Sequence, residues 1–349
     1  MNGGSFRLGT RGSALARRQA KTIERVLTDH RYDVEIVEVS TEGDRIRDDL
    51  IHRLGKTGAF VRDLDERVLS GELDAAVHSL KDMPTEMPDD LVVAAVPSRT
   101  APHDVLVTTD GTELAALPAD AVVGTGSLRR RAQLLHVRDD LTVQPIRGNV
   151  DTRVRKLLGP HLRRTRDELD EDERDEWLAA RSDLERSALE ADEDAVLDGL
   201  VLAEAGLDRL GLLESVATVR LPIDSFVPAA GQGALAVTMR DEESADTVNR
   251  LLDDPPTRVA ATVERTILAG LGGGCIAPIG VNAVVQGEAV HTRVHVLSLD
   301  GSDVVRTTRD LPVESYLEAC NELVDDLEEA GAAELIEEAV AKERDRVEE

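Results

Sequence analysis

Three groups of side chains in this 349-residue chain could do chemistry. The first is cationic. Arg11, Arg17 and Arg18 follow the turn Gly9-Thr10-Arg11-Gly12-Ser13, Arg129, Arg130 and Arg131 follow Gly124-Thr125-Gly126-Ser127, and Arg147 and Arg153 bracket a loop at Gly148-Asn149. A guanidinium fork matches a carboxylate or phosphate, and a helix start adds free N–H groups. Each arginine alone reads as a surface ion pair worth little, but the set on two matching turns predicts an anion-lined cleft. The second group is His78-Ser79-Leu80-Lys81-Asp82-Met83-Pro84. A carboxylate at a strand's C-terminal end beside a lysine suits acid–base work or holding a cation, although Asp82 also fits a plain turn residue. His78 reads either as a general base or as a hydrogen-bonded core residue. The third is Cys275 in Leu271-Gly272-Gly273-Gly274-Cys275-Ile276-Ala277-Pro278, where three glycines leave the sulfur uncrowded, as a nucleophile or attachment point requires. Cys320, at helical spacing with Leu317, Val324 and Leu327, reads as a small core residue.

These residues need β/α units to position them. Phe6–Leu8 predicts a strand, Ser13 an N-cap and 14–28 a helix; Val34–Val39 alternates like a strand, 61–70 reads as a helix, and 74–77 as a buried strand ending at the Asp82 loop. Pro84 and Pro88 forbid a helix there. The segment from Val122 to Gln133 echoes that from Leu8 to Ala20 as strand, Gly/Thr/Ser turn and arginine-rich helix. Two related α/β lobes, each presenting a helix N-terminus to a shared cleft, follow from that echo. From about 160 to 194 the chain is dense in both charges and reads as a surface helical excursion laced with i,i+4 pairs. A strand resumes at Leu200–Ala203. After Pro255-Pro256 a C-terminal α+β unit begins, with a helix near 258–268, strands at 281–285 and 292–299, and a helix from 313 to about 330.

The charge is extreme: 69 acidic residues oppose 41 basic ones, a net −28, and only five of the cations are lysines (Lys21, Lys56, Lys81, Lys156, Lys342). Such a chain makes a poor nucleic-acid binder, because phosphate neutralisation needs clustered cations. The composition fits a halophile's surface. No apolar run approaches the roughly 18 residues of a membrane helix, and Met1–Thr10 lacks a secretory pattern, so a cytoplasmic protein with no membrane partner is expected. Two cysteines without a CxxC pair argue against a disulfide framework, and no metal site is expected.

Together the motifs resemble the hydroxymethylbilane synthase (porphobilinogen deaminase) family. They are Leu8–Ser13, Ala76–Pro84, Val123–Arg130, Arg147–Arg153 (RGNVDTR), Pro228–Ala234 (PAAGQGA) and Gly273–Pro278, in the family's order and over nearly the whole chain except the acidic insert. The resemblance implies an α/β fold of two lobes like type II periplasmic binding proteins plus a C-terminal α+β domain. Domain 1 would take 1–98 and 228–250, domain 2 103–224 with the insert at about 160–194, and domain 3 255–349. It further implies a dipyrromethane cofactor on Cys275 as a thioether, and four porphobilinogens added head to tail with loss of ammonia before hydrolytic release, by a cytoplasmic monomer. Asp82 would be catalytic, stabilising the cationic azafulvene left when ammonia departs. Lys81, Ser127, Arg129 and Arg130 would hold the cofactor, and Arg11, Ser13, Arg147, Arg153, Arg209 and Gln232 the substrate. The chain departs from the family's Gly-Gly-Lys-Gly loop at Gly55-Lys56-Thr57-Gly58, which shifts Lys56 by one place, and Gly12 offers no side chain before Ser13.

Two other classes share parts of this pattern. A two-lobed solute-binding protein would grip a carboxylate without chemistry, but it would lack a purpose for the Cys275 loop. A regulator would need a helix-turn-helix unit and a less acidic surface.

Overall fold

The computed structural model describes residues 5–39, 59–191, 196–272 and 277–348. Strands β1 (Ser5–Arg11), β2 (Asp33–Val39), β3 (Ala75–Ser79) and β4 (Leu91–Ala95) begin a first sheet. The chain then crosses into a second, β5 (Asp104–Thr108), β6 (Val122–Thr125), β7 (Thr142–Pro145), β8 (Gly199–Ala203) and β9 (Ala217–Arg220), and returns to place β10 (Leu235–Arg240) between β3 and β4. The orders β2-β1-β3-β10-β4 and β7-β6-β8-β5-β9 follow one plan: three parallel strands, one antiparallel strand entering from the other lobe, and an edge strand antiparallel to it. The echo in sequence is thus an echo in topology. Helix α1 (Ala14–Asp29) follows β1, and α3 (Leu128–Val137) follows β6 at the same place in its sheet; between them α2 (Ala59–Leu69) precedes β3. This is the plan of two related α/β lobes that the echo in sequence implied.

The inner parallel strands β3, β6 and β8 are buried on both faces, as strands covered by helices must be, whereas the edge strands β2 and β7 leave residues exposed. In the first lobe Leu8, Ile23, Leu27, Ala75, Val77 and Val237 share one core; in the second, Val107, Val154, Leu157, Leu200 and Leu207 do. Each large aliphatic side chain so buried contributes on the order of 1.5–3 kcal/mol.

The charged segment is helical, as read from the sequence: it continues α4 (Val150–Glu168) and adds α5 (Glu171–Ala179) and α6 (Asp183–Glu190) in one stack. Capping boxes Asp170/Glu173 and Ser182/Glu185 start the last two. Gly159 lets α6 pack against α4, since a Cβ there would lie 2.7 Å from the carbonyl oxygen of buried Ala188. Arg163 donates to the Ala191 carbonyl at 2.8 Å and Arg155 to Ser187 Oγ at 3.1 Å, closing the stack. Of the expected i,i+4 pairs, Arg181–Glu185 is present in the segment, and Asp151–Arg155 forms another on α4 ahead of it.

After α7 (Glu204–Leu210) and α8 (Glu243–Leu252), helix α9 (Pro255–Gly270) opens the third unit. It starts at the two prolines rather than beyond them, because a proline at the first helical positions gives up an N–H that has no partner anyway. An antiparallel sheet β11 (Ile279–Gln286), β12 (Ala289–Leu297) and β13 (Val304–Pro312) packs on α9, α10 (Tyr316–Glu329) and α11 (Ala332–Glu348). Strand β13 and helix α11 have no counterpart in the sequence reading. Among the described residues no helix is long and apolar enough to cross a membrane.

Candidate active site

The lobes are joined by the crossings 96–103 and 221–234, and the site is built around them. Asp104, at the first residue of β5, is fully buried and accepts from Arg129 Nη1 (2.8 Å), Arg130 Nε (3.0 Å) and Nη2 (2.8 Å), and Gln232 Nε2 (2.8 Å). Arg129 also donates to Gln133 Oε1 and the Val227 carbonyl, and Arg130 to the Val201 carbonyl and Gln232 Oε1. Gln232, fully buried, further binds the Pro102 carbonyl at 2.7 Å. One carboxylate therefore ties both arginines of the second turn to both crossings. Asp104, like Arg99, Glu264 and Arg265 below, was not singled out in the sequence.

The first lobe presents the loop after β3. Leu80–Asp82 forms a single 3₁₀ turn in which Leu80 and the following Met83 are buried while Asp82 is exposed. The Leu80 N–H donates to the Ala234 carbonyl at 3.1 Å. Gly231, with φ +73°, lies against this turn, where a Cβ would come within 3.1 Å of Lys81 N and Leu80 Cγ. Burial pushes the Lys81 ammonium below its ordinary pKa, opposed by Asp82 and Asp104 and reinforced by Arg130 and Arg129. Lys81 thus lies near enough to the second lobe's Arg130 and Arg129 for their charges to act on it.

More cations gather around the start of α3. Ser127 caps it, accepting from Arg130 N, as Ser13 caps α1 by accepting from Ala16 N at 3.2 Å. The Arg153 guanidinium lies against Gly126, 3.4 Å from where a Cβ would stand, and its Nε donates to the Gly148 carbonyl at 2.8 Å. Burial, with Arg130 nearby, lowers the Arg153 pKa to about 10. Lys156 is lowered by burial and by Arg153 and Arg147, so these three cations are neighbours. Neither Arg147 nor Arg153 has a carboxylate within ion-pair distance among the described residues. Arg11 is half-buried at the end of β1, and Arg209, lowered by burial, donates to the Gly233 carbonyl at 2.7 Å. Arg17 pairs with Glu38 on the surface and Arg18 is exposed, so they stand apart from this set.

His78 takes the core reading: its Nε2 lies 3.1 Å from both Asp65 Oδ1 and Thr238 Oγ1, all buried. Cys320 is buried in the third unit's core, and burial pushes its thiol up to about 11. Cys275 and Lys56 lie outside the described residues. Cationic groups of both lobes thus gather here, and two of them, Arg147 and Arg153, have no ion pair among the described residues, an arrangement that can accept a polyanion. A dipyrromethane bearing several carboxylates fits that donor set, and Gly126 leaves the Arg153 guanidinium room against the turn.

Two family models match the chain: "Porphobilinogen deaminase, dipyromethane cofactor binding domain" over residues 6–186 and 162–247, and "Porphobilinogen deaminase, C-terminal domain" over 259–329. A Halobacterium salinarum protein described as "Probable porphobilinogen deaminase" is 48% identical, covering 97% of this chain and 99% of that one. The porphobilinogen deaminases of Desulforudis audaxviator and Rubrobacter xylanophilus are 39% and 42% identical, covering 94% and 86% of this chain and 96% and 86% of their own. Among solved structures, a periplasmic substrate-binding protein of an ABC transporter from Coxiella burnetii aligns with TM-score 0.36 at 13% identity, over 74% of this chain and 96% of that one.

Proposed function

The chain belongs to the porphobilinogen deaminase family, and from that premise we propose which of its residues carry the reaction. The enzyme is a transferase that condenses four porphobilinogens head to tail on a dipyrromethane cofactor and releases hydroxymethylbilane by hydrolysis. Asp82 is the catalytic carboxylate. As the C–N bond of the substrate's aminomethyl group breaks and ammonia leaves, positive charge develops on the methylene and pyrrole ring. A fixed carboxylate beside that charge is the type of preorganised stabiliser that lowers such barriers most. The observation that carries this reading is the exposure of Asp82 on a turn whose flanking Leu80 and Met83 are buried, next to Lys81, whose charge feels Arg130 and Arg129 of the other lobe.

The substrate's acetate and propionate arms go to Arg11, Ser13, Arg147, Arg153 and Arg209, and those of the cofactor to Lys81, Ser127, Arg129 and Arg130. Arg129 and Arg130 act from a rigid floor, since both are already anchored on Asp104, and Gln232, expected among the substrate contacts, is instead fully buried and seats that carboxylate. When bound, the cofactor supplies a free pyrrole carbon to which the first unit is joined. Cys275 anchors it by a thioether, which resists hydrolysis where an ester would not. The domains are 1–98 with 228–250, 103–224, and 255–349. The enzyme is a cytoplasmic monomer from a salt-adapted organism and has neither nucleic acid nor membrane as partner.

Two measurements test the reading. Intact mass of the purified protein should exceed the sequence mass by one dipyrromethane, and Cys275→Ser should lose that increment; an active protein of unmodified mass would end the attachment claim. Asp82→Asn should keep fold and added mass yet lose at least about 100-fold in turnover, the scale of one removed electrostatic stabiliser. Near-normal rates would remove Asp82 from the mechanism.

A further inference from the structure

Helix α9 belongs to the third unit, yet one face of it grips the first lobe's Asp82 turn. Ala261 is buried in a cluster with Leu80, Met83, Val96 and Ala234. One helical turn later, Arg265 donates Nη1 to the carbonyls of Leu80 (3.4 Å) and Met83 (3.2 Å) and Nη2 to that of Pro84 (2.5 Å). These carbonyls flank Asp82 on both sides. Glu264, fully buried, works from behind: it accepts from Gly231 N (2.6 Å), whose bare Cα packs on Leu80 and Lys81, and from both Nη atoms of Arg99 (2.7 and 3.1 Å). The turn is therefore held between consecutive residues of a helix from another unit.

Arg265 makes no ion pair among the described residues, so its partly buried charge rests on neutral carbonyls. Burying a guanidinium without a carboxylate is costly, and a neutral donor could bind one carbonyl. What arginine adds is a planar fork that fixes three acceptors relative to one another. The geometry points to Arg265 as a positioning residue for the condensation: it holds the Asp82 turn in register from the unit that also carries Cys275. This rests on the reading of Asp82 as the catalytic carboxylate. A carboxylate displaced by about 1 Å from its working position can lose on the order of 100-fold in rate without any loss of substrate affinity.

The test uses the full-length, cofactor-loaded enzyme. Arg265→Met keeps the aliphatic stem against the turn and removes the donors. It should lower kcat by about 10- to 100-fold while KM for porphobilinogen stays within about two-fold and the added cofactor mass is retained. Arg265→Lys, with one compact ammonium, should recover part of kcat. Because Arg265 acts through Asp82, adding Arg265→Met to Asp82→Asn should cost less than about two-fold more, whereas a general packing defect would multiply. Wild-type kcat in Arg265→Met, or full multiplication in the double variant, overturns the proposal while leaving Asp82 in place. Near-normal turnover of Asp82→Asn itself overturns both. If Arg265→Met fails to fold or load, Arg265→Lys carries the test alone: kcat below wild type at unchanged KM supports positioning, and unchanged kcat refutes it.

Discussion

Arg129 and Arg130 meet one carboxylate, Asp104, with no water-exposed surface on that acid. Burial alone would raise the Asp104 pKa, but the two guanidiniums outweigh it and hold the group well below the usual carboxylate range. A carboxylate depressed in the folded state contributes stability above its unfolded pKa of about 3.9 and loses it as pH falls further. The contribution is therefore complete at neutral pH. Asp104→Asn leaves two buried guanidiniums sharing amide and carbonyl oxygens only, and should destabilise by about 3–5 kcal/mol in denaturant unfolding at pH 7; a loss under about 1 kcal/mol would contradict the pairing. The arginine pair was legible because it follows a Gly-Thr-Gly-Ser turn at a helix start. Asp104 lies 25 residues before Arg129, one acid among 69, and no local pattern marks the one that is buried. Arg99, Glu264 and Arg265 escaped for the same reason: Arg99 and Glu264 lie 165 residues apart, and the carbonyls that Arg265 binds lie 181 to 185 residues away.

Among elements, the turns were readable and the docking was not. Ser13 and Ser127 announce α1 and α3 because an N-cap hydroxyl followed by an apolar-periodic run has few other uses. Strands β4 and β5, Leu91–Ala95 and Asp104–Thr108, are short apolar runs that periodicity alone does not separate from buried helix. Strand β13 buries Leu311 and little else, so its pattern is faint. How the third unit meets the second lobe leaves no trace in local sequence either. Gly301 rests on α3, where a Cβ would strike the Ala132 carbonyl at 2.5 Å and His136 N at 2.6 Å, and its own carbonyl lies 2.8 Å from His136 Nδ1. Near this contact His295 of β12 has a buried Nδ1 without a hydrogen-bond partner among the described residues, and burial, then Arg306 and His136, lower its pKa to about 4 against Asp224. A histidine depressed on folding supports the native state above the unfolded value of about 6.5 and ceases to do so between 6.5 and 4. The wild type should thus lose stability across that window by on the order of 3 kcal/mol more than His295→Gln. Thermal melts of both at several pH values would decide it; parallel curves would mean that the imidazole is not kept neutral.

At the scale of the whole molecule the charge is divided by place. The chain carries a net −28, yet Arg129 and Arg130 are buried on Asp104 where the lobes meet, Lys81 and Arg153 lie near enough to feel their charge, and Arg209 binds the Gly233 carbonyl of a crossing. Acidic residues crowd the outside, as on α5, where Glu171, Asp172 and Glu173 are all exposed. Two salt effects follow, and they differ in size. Repulsion among surface carboxylates opposes the compact state and is screened over about 10 Å at 0.1 M ionic strength but about 3 Å at 1 M. Raising KCl from about 0.1 M to molar levels should therefore raise Tm steeply. Salt also weakens attraction between substrate carboxylates and the cleft, but groups withdrawn from water are screened much less than exposed ones. KM for porphobilinogen should accordingly climb only modestly over a range in which stability rises strongly, so that activity at fixed substrate increases with salt. A Tm independent of KCl would show that the acidic surface exerts no net repulsion in the folded chain. A KM rising as steeply as stability would mean that the cleft cations lie open to solvent instead of resting on the Asp104 floor.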